Sequence, residues 1–137
     1  MRRLGYVSAL FAVTFAIGCG GDDDDTNADR YDGEEAEVAG LVDDFAEAGR
    51  DGDGERICEQ IFADALAANI EKEANQSCAT EVQENLPEDE YELEVDSVDV
   101  KGDEATAAVT DQDDNKSVLH IVKVDSDWRI LRVTPGT

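Results

Sequence analysis

The spacing of apolar residues changes period at Pro87, and this constrains the fold more than any other feature of the 137-residue chain. Before Pro87 the spacing is helical. Val38, Leu41, Val42 and Phe45 fall at i, i+3, i+4 and i+7, one stripe of an amphipathic helix that starts at Glu34. Glu34, Glu35 and Glu37 crowd its first turns, where the helix dipole favours anions, and Gly49 and Gly52 end it. Asp53 is a good N-cap for a second helix. Its predicted stripe of Ile57, Cys58, Ile61, Phe62, Ala65 and Leu66 runs unbroken for three turns. Cys78, Val82 and Leu86 mark a third, shorter helical stretch, which Ser77 caps and Pro87 stops.

After Pro87 the period is two. Tyr91, Leu93 and Val95 alternate with Glu92, Glu94 and Asp96, a strand with one wet face. Val98 and Val100 sit on the opposite parity, so a β-bulge or a break is predicted near Ser97 to keep them out of solvent. Strands follow over Ala105 to Thr110, Ser117 to Val124 and Trp128 to Val133, separated by polar turns. The last two are apolar on both faces. Val118, Val122 and Val124 share a face with His120, against Leu119 and Ile121; Trp128 and Ile130 point one way, Leu131 and Val133 the other. Such strands need cover on both sides. Three helices supply one cover, and the second must be a concave pocket, a closing strand or another subunit.

The N-terminus carries an address. Arg2 and Arg3 precede an apolar run from Leu4 to Ile17, shorter than the ~20 residues a bilayer core requires, so the segment reads as a secretory signal. Ala16-Ile17-Gly18-Cys19 resembles a bacterial lipobox, in which the cysteine is acylated and becomes the new N-terminus. The predicted organisation is a signal peptide over 1–18, an acidic disordered tether over 19–33, and one α+β domain over 34–137. Localisation follows: the cell membrane, on its extracytoplasmic face, through lipid on Cys19.

Loss of Arg2 and Arg3 with the signal leaves nine of eleven basic residues against 35 acidic ones, a formal charge of −26. Nucleic acid is thereby excluded as a partner, because phosphate binding depends on basic neutralisation. With Cys19 committed to lipid, Cys58 and Cys78 remain as an even pair in an oxidising compartment, where a disulfide is the default. Closing a loop of this size is worth roughly 3 kcal/mol. A metal or redox pair is the alternative, but no CxxC occurs and His120 is the single histidine. Asp51-Gly-Asp-Gly-Glu opens like a calcium loop, yet positions six and twelve hold Arg56 and Phe62 instead of glycine and glutamate. No metal and no cofactor is predicted.

Helices followed by a curved antiparallel meander resemble the nuclear transport factor 2-like superfamily, and in particular its small secreted or lipid-anchored bacterial members. The resemblance covers about residues 34–134. It rests on the turn-helix stretch Gly52 to Cys58, followed by a second cysteine, and on Val122-Lys123 through Trp128-Arg129-Ile130. It implies a cone, with a bent sheet wrapping a long helix around a pocket. Enzymes of the superfamily use an Asp/His pair or an Asp with a Tyr in that pocket. Here such a site would need His120, with Asp99, Asp111 or Tyr91 brought to it. No nucleophile motif and no catalytic residue is predicted. The leading expectation is non-catalytic binding of a small apolar ligand or a protein by a pocket or interface drawn from Tyr91, Val118, His120, Val122, Trp128 and Ile130. The alternatives are an isomerase- or cyclase-type pocket enzyme, which requires His120 in a cavity beside a carboxylate, and a structural homodimer formed through the sheet.

Overall fold

A computed structural model describes residues 26–87 and 91–137; the predicted signal segment, Cys19 and the first part of the predicted tether lie outside them. The architecture is α+β, helices packed on one face of a four-stranded antiparallel meander of order β1-β2-β3-β4. The elements are α1 (Gly33–Arg50), α2 (Gly54–Arg56) running into a π-helical turn (Ile57–Ile61), α3 (Asp64–Ala74), α4 (Cys78–Asn85), β1 (Leu93–Lys101), β2 (Glu104–Asp111), β3 (Lys116–Val124) and β4 (Asp127–Pro135).

Helix α1 is the spine. Its predicted stripe is buried, and so are Ala39, Ala46, Ala48 and Gly49, so small side chains let neighbours close around more than one side of it. Tyr91 lies directly on Gly49, where a Cβ would collide with the ring. Asp53 caps α2 by accepting the Arg56 amide at 3.0 Å. Cys58 and Cys78 are bonded, with Cα atoms 6.1 Å apart, and this joins the π-helical turn to the first residue of α4.

The second helix departs from the sequence expectation. It does not run through three turns. The Phe62 amide donates to the Ile57 carbonyl in π geometry, Phe62 turns extended and pairs in parallel with Ile130, and the Ala63 amide donates to the Ile130 carbonyl at 2.8 Å. Bonds to β4 thus replace the helical ones, and α3 starts afresh with Ala65 exposed and Leu66 half-buried.

In the sheet, a bulge at Asp96 shifts the register between Val95 and Ser97. It returns Val98 and Val100 to the helix side with Val95, as the parity slip required. A second bulge lies opposite the His120/Ile121 step, where His120 pairs with Arg132 and Ile121 with Ile130, leaving Leu131 as the extra residue. This corrects the reading of β4. Leu131 faces outward, but Val133 pairs with Leu119 and returns to the inner side, past the end of the helical cover, where it is 47% exposed.

Order also begins earlier than residue 34. Asn27–Arg30 form a 3-10 turn, and Asn27 is buried. The Asp43 carboxylate accepts from the Asn27 amide, from Asn27 Nδ2 and from the Ala28 amide at 2.7–3.1 Å. Polarity concealed this segment: its order comes from hydrogen bonds to α1 and β1, without an apolar stripe.

Candidate functional site

Helices cover only the inner face of the sheet, and the outer face is bare among the described residues. Antiparallel partners share a face, so the register lays out this surface in rows. Asp99, Thr106, His120 and Arg132 form one row across all four strands. Ser97, Ala108, Val118 and Thr134 form the row on one side of it, and Lys101, Glu104, Val122 and Arg129 the row on the other. A shallow groove of about 410 Å³ lies over the middle, lined among others by Asp99, Thr106, His120, Val122, Leu131 and Arg132. Leu131 is 39% exposed there, and Val118 and Val122 are half-buried.

His120 is held at the groove by two contacts. Arg132 Nη2 lies 3.5 Å from its Nδ1, and its Nε2 lies 3.1 Å from Thr134 Oγ1. A guanidinium only donates, so Nδ1 accepts and Nε2 carries the proton toward the threonine. Asp99 shares the row but stands two strands away, roughly 10 Å by strand spacing. Asp111 lies at the far end of β2, and its carboxyl is held below the usual range mainly by the Asn115 amide. The acid–histidine arrangement of the pocket-enzyme alternative is therefore not assembled.

The six residues grouped from sequence divide among three places. Val118, His120 and Val122 share the outer face. Ile130 and Trp128 are buried under the helices instead. Trp128 Nε1 donates to Glu37 Oε2 at 3.2 Å, and Lys123 Nζ lies 4.8 Å above its ring. A hydrogen bond to Glu34 at 2.9 Å raises the Lys123 pKa above the ordinary lysine value. Tyr91 packs edge-on against Phe45, with centroids 5.7 Å apart, at the other end of the core. Burial first, then Asp111, pushes its hydroxyl up to about 12.

A second groove of about 760 Å³ runs between α1 and the β3–β4 turn, past Glu37, Leu41, Asp43, Asp44, Trp128 and Arg129. Several of its polar groups are engaged internally. Glu37 serves Trp128, Asp43 serves Asn27 and Ala28, and Arg129 donates to the Glu59 carbonyl at 2.5 Å. Burial raises the Asp44 carboxyl; Arg56 opposes the shift, while Glu47 and Asp43 add to it. The outer face is the better candidate because Leu131 is exposed there and Arg132 has no carboxylate partner among the described residues. Sequence reasoning missed Arg132, Thr134 and Leu131 as members of this surface, and only the strand register reveals them.

No protein-family model matches the chain, and no curated protein matches it. Two solved structures are similar. One is an NTF-2-like protein of unknown function from Silicibacter pomeroyi DSS-3, 18% identical, with a TM-score of 0.52 over 72% of this chain and 94% of that one. The other is an NTF2-like protein of unknown function from Shewanella baltica OS155, 17% identical, with a TM-score of 0.51 over 75% and 95%. At this identity the likeness establishes the fold, which is nuclear transport factor 2-like, and assigns no chemistry.

Proposed function

We propose that the protein is a lipid-anchored extracytoplasmic docking domain, non-catalytic, whose outer sheet face engages a protein surface. The supporting observation is the contrast between that face and the rest of the molecule. Residues 26–137 hold 31 acidic and nine basic side chains. In the middle of the outer face, Asp99 and Glu104 are balanced by Lys101 and Arg132 around Val118, Val122 and Leu131. Interface cores are enriched in arginine, and Arg132 stands here beside the exposed Leu131. A small apolar ligand fits less well, because side chains fill the inner side of the cone and the outer groove is shallow.

Anchoring rests on the leader and on Cys19, and the Cys58–Cys78 bond agrees with an oxidising compartment. Two experiments test the reading. Labelling cells with a radioactive fatty acid should mark the wild type and not Cys19→Ser; an unlabelled wild type removes the anchor. A photo-crosslinking side chain placed at Val122 should yield a protein adduct in cells, and one at Lys72 on α3 should not. Equal yields from both positions would refute docking through the sheet.

A further inference from the structure

We propose that Asn75, at the turn between α3 and α4, is an acceptor for an asparagine-linked glycan. The inference needs only the export half of the reading above and is independent of docking. The chain holds five asparagines, and two of them open an Asn-x-Ser triplet without proline: Asn75-Gln76-Ser77 and Asn115-Lys116-Ser117. In an exported chain this triplet is the acceptor pattern for a transferred saccharide when it lies on a surface turn. Each triplet also has a carboxylate two residues ahead, Glu73 and Asp113, which a cationic side chain of a transferring enzyme can hold.

The structure separates the two. Asn115 is tied down on every side. Its amide and its Nδ2 donate to the Asp111 carboxylate at 2.9 and 3.1 Å, and its carbonyl accepts the Asp111 amide at 3.0 Å. Lys116 and Ser117 already belong to β3, where Lys116 pairs with Thr110 and Ser117 with Val109 and Pro135. Presenting this triplet to an enzyme means opening the end of the sheet. Asn75 is exposed and ends α3 in the left-handed region at φ 55°, a conformation that asparagine tolerates better than other residues with a Cβ. Its side chain has no hydrogen-bond partner among the described residues. The turn belongs to the helical layer, so a glycan on it leaves the outer sheet face clear.

The neighbouring contacts set the order of events. The Ser77 hydroxyl accepts the Thr80 amide at 3.2 Å and lies 2.7 Å from Thr80 Oγ1, capping α4. Cys78, the next residue, is bonded to Cys58. An enzyme that reads the Ser77 hydroxyl needs it uncapped, so transfer precedes the closure of α4 and of the disulfide. The co-reactant is a saccharide carried on a polyprenyl diphosphate. Asn75 Nδ2 bonds to the anomeric carbon and gives up one proton. The sugar–phosphate C–O bond breaks, and the polyprenyl diphosphate leaves with the electron pair. Once the domain closes, the modified side chain remains at an exposed turn.

The test is mass spectrometry of the acylated full chain, purified from its own cells and cut with a protease. The peptide spanning Asn75 should carry a saccharide mass that fragmentation places on residue 75, and the peptide with Asn115 should be bare. Asn75→Gly suits the positive φ and should fold while losing the added mass. Ser77→Ala should lose it too, and Ser77→Thr, which keeps a hydroxyl, should retain it. Glu73→Gln should lower occupancy at least tenfold. Circular dichroism and an intact Cys58–Cys78 bond confirm that the variants fold. An acylated wild type with a bare Asn75, or an added mass that survives Ser77→Ala, would overturn the site and leave the anchor standing. A chain with neither lipid nor saccharide brings down both.

Discussion

Asn27 occupies the open edge of β1 at Val95: its Oδ1 accepts the Val95 amide at 2.9 Å, and its Nδ2 donates to the Leu93 carbonyl at 2.8 Å. One amide side chain thus stands in for a neighbouring strand beside the Asp96 bulge. Asn27→Ala should leave the buried Val95 amide without its acceptor and cost about 1–3 kcal/mol in denaturant unfolding. Asn27→Asp should cost more, since it sets a second carboxylate against Asp43. An Asn27→Ala variant as stable as the wild type would contradict this account.

Gly49 and Tyr91 form a contact that permits no Cβ. In Gly49→Ala the methyl group would strike the Tyr91 ring, and overpacking of this kind typically costs 1–3 kcal/mol, about the range expected here. Gly49→Ala combined with Tyr91→Leu should recover part of the loss. A thermal melt of the three variants reads the coupling, and strictly additive effects would show that the ring and the glycine do not meet.

Tyr91 also sets an alkaline limit. Its hydroxyl titrates at about 12 in the folded protein against an ordinary 10.0, chiefly because burial disfavours the anion. As pH rises, the unfolded chain loses this proton first and binds fewer protons than the folded state. Stability from this group is therefore intact below pH 10 and falls between 10 and 12, by at most about 3 kcal/mol. Tyr91→Phe should flatten that part of the profile in a comparison of unfolding against pH. An unchanged slope would argue against a buried hydroxyl.

The Cys58–Cys78 bond closes a loop with a sequence separation of 20. Cys58→Ala/Cys78→Ala should lose about 3 kcal/mol through the unfolded state. Reductant should lower the wild-type melting temperature and leave that of the double variant unchanged. A wild type insensitive to reductant would mean that the bond contributes nothing.

The sequence made the sheet legible where side-chain parity is a local property. Val98 and Val100 required a bulge near Ser97, and the register slips at Asp96. The Ser77 cap, the Asp53 cap and the Pro87 stop were legible for the same reason, since each acts within a few residues. What could not be read depends on distant partners. Phe62 leaves the helix for Ile130, and Asn27 becomes ordered by binding Asp43 and Val95. The site was half legible. Parity put Val118, His120 and Val122 on one face, but only the packed helices decide which face stays bare. The bulge at Leu131 then reverses Val133, which no count along β4 reveals.

Both margins of the meander are blunted, β1 by Asn27 at Leu93 and Val95, and β4 by Phe62 and Ala63 at Ile130. Lateral strand addition, the route by which crowded sheets grow into fibres, is obstructed at both ends. Even at high local concentration, growth by edge accretion is therefore closed to the folded domain.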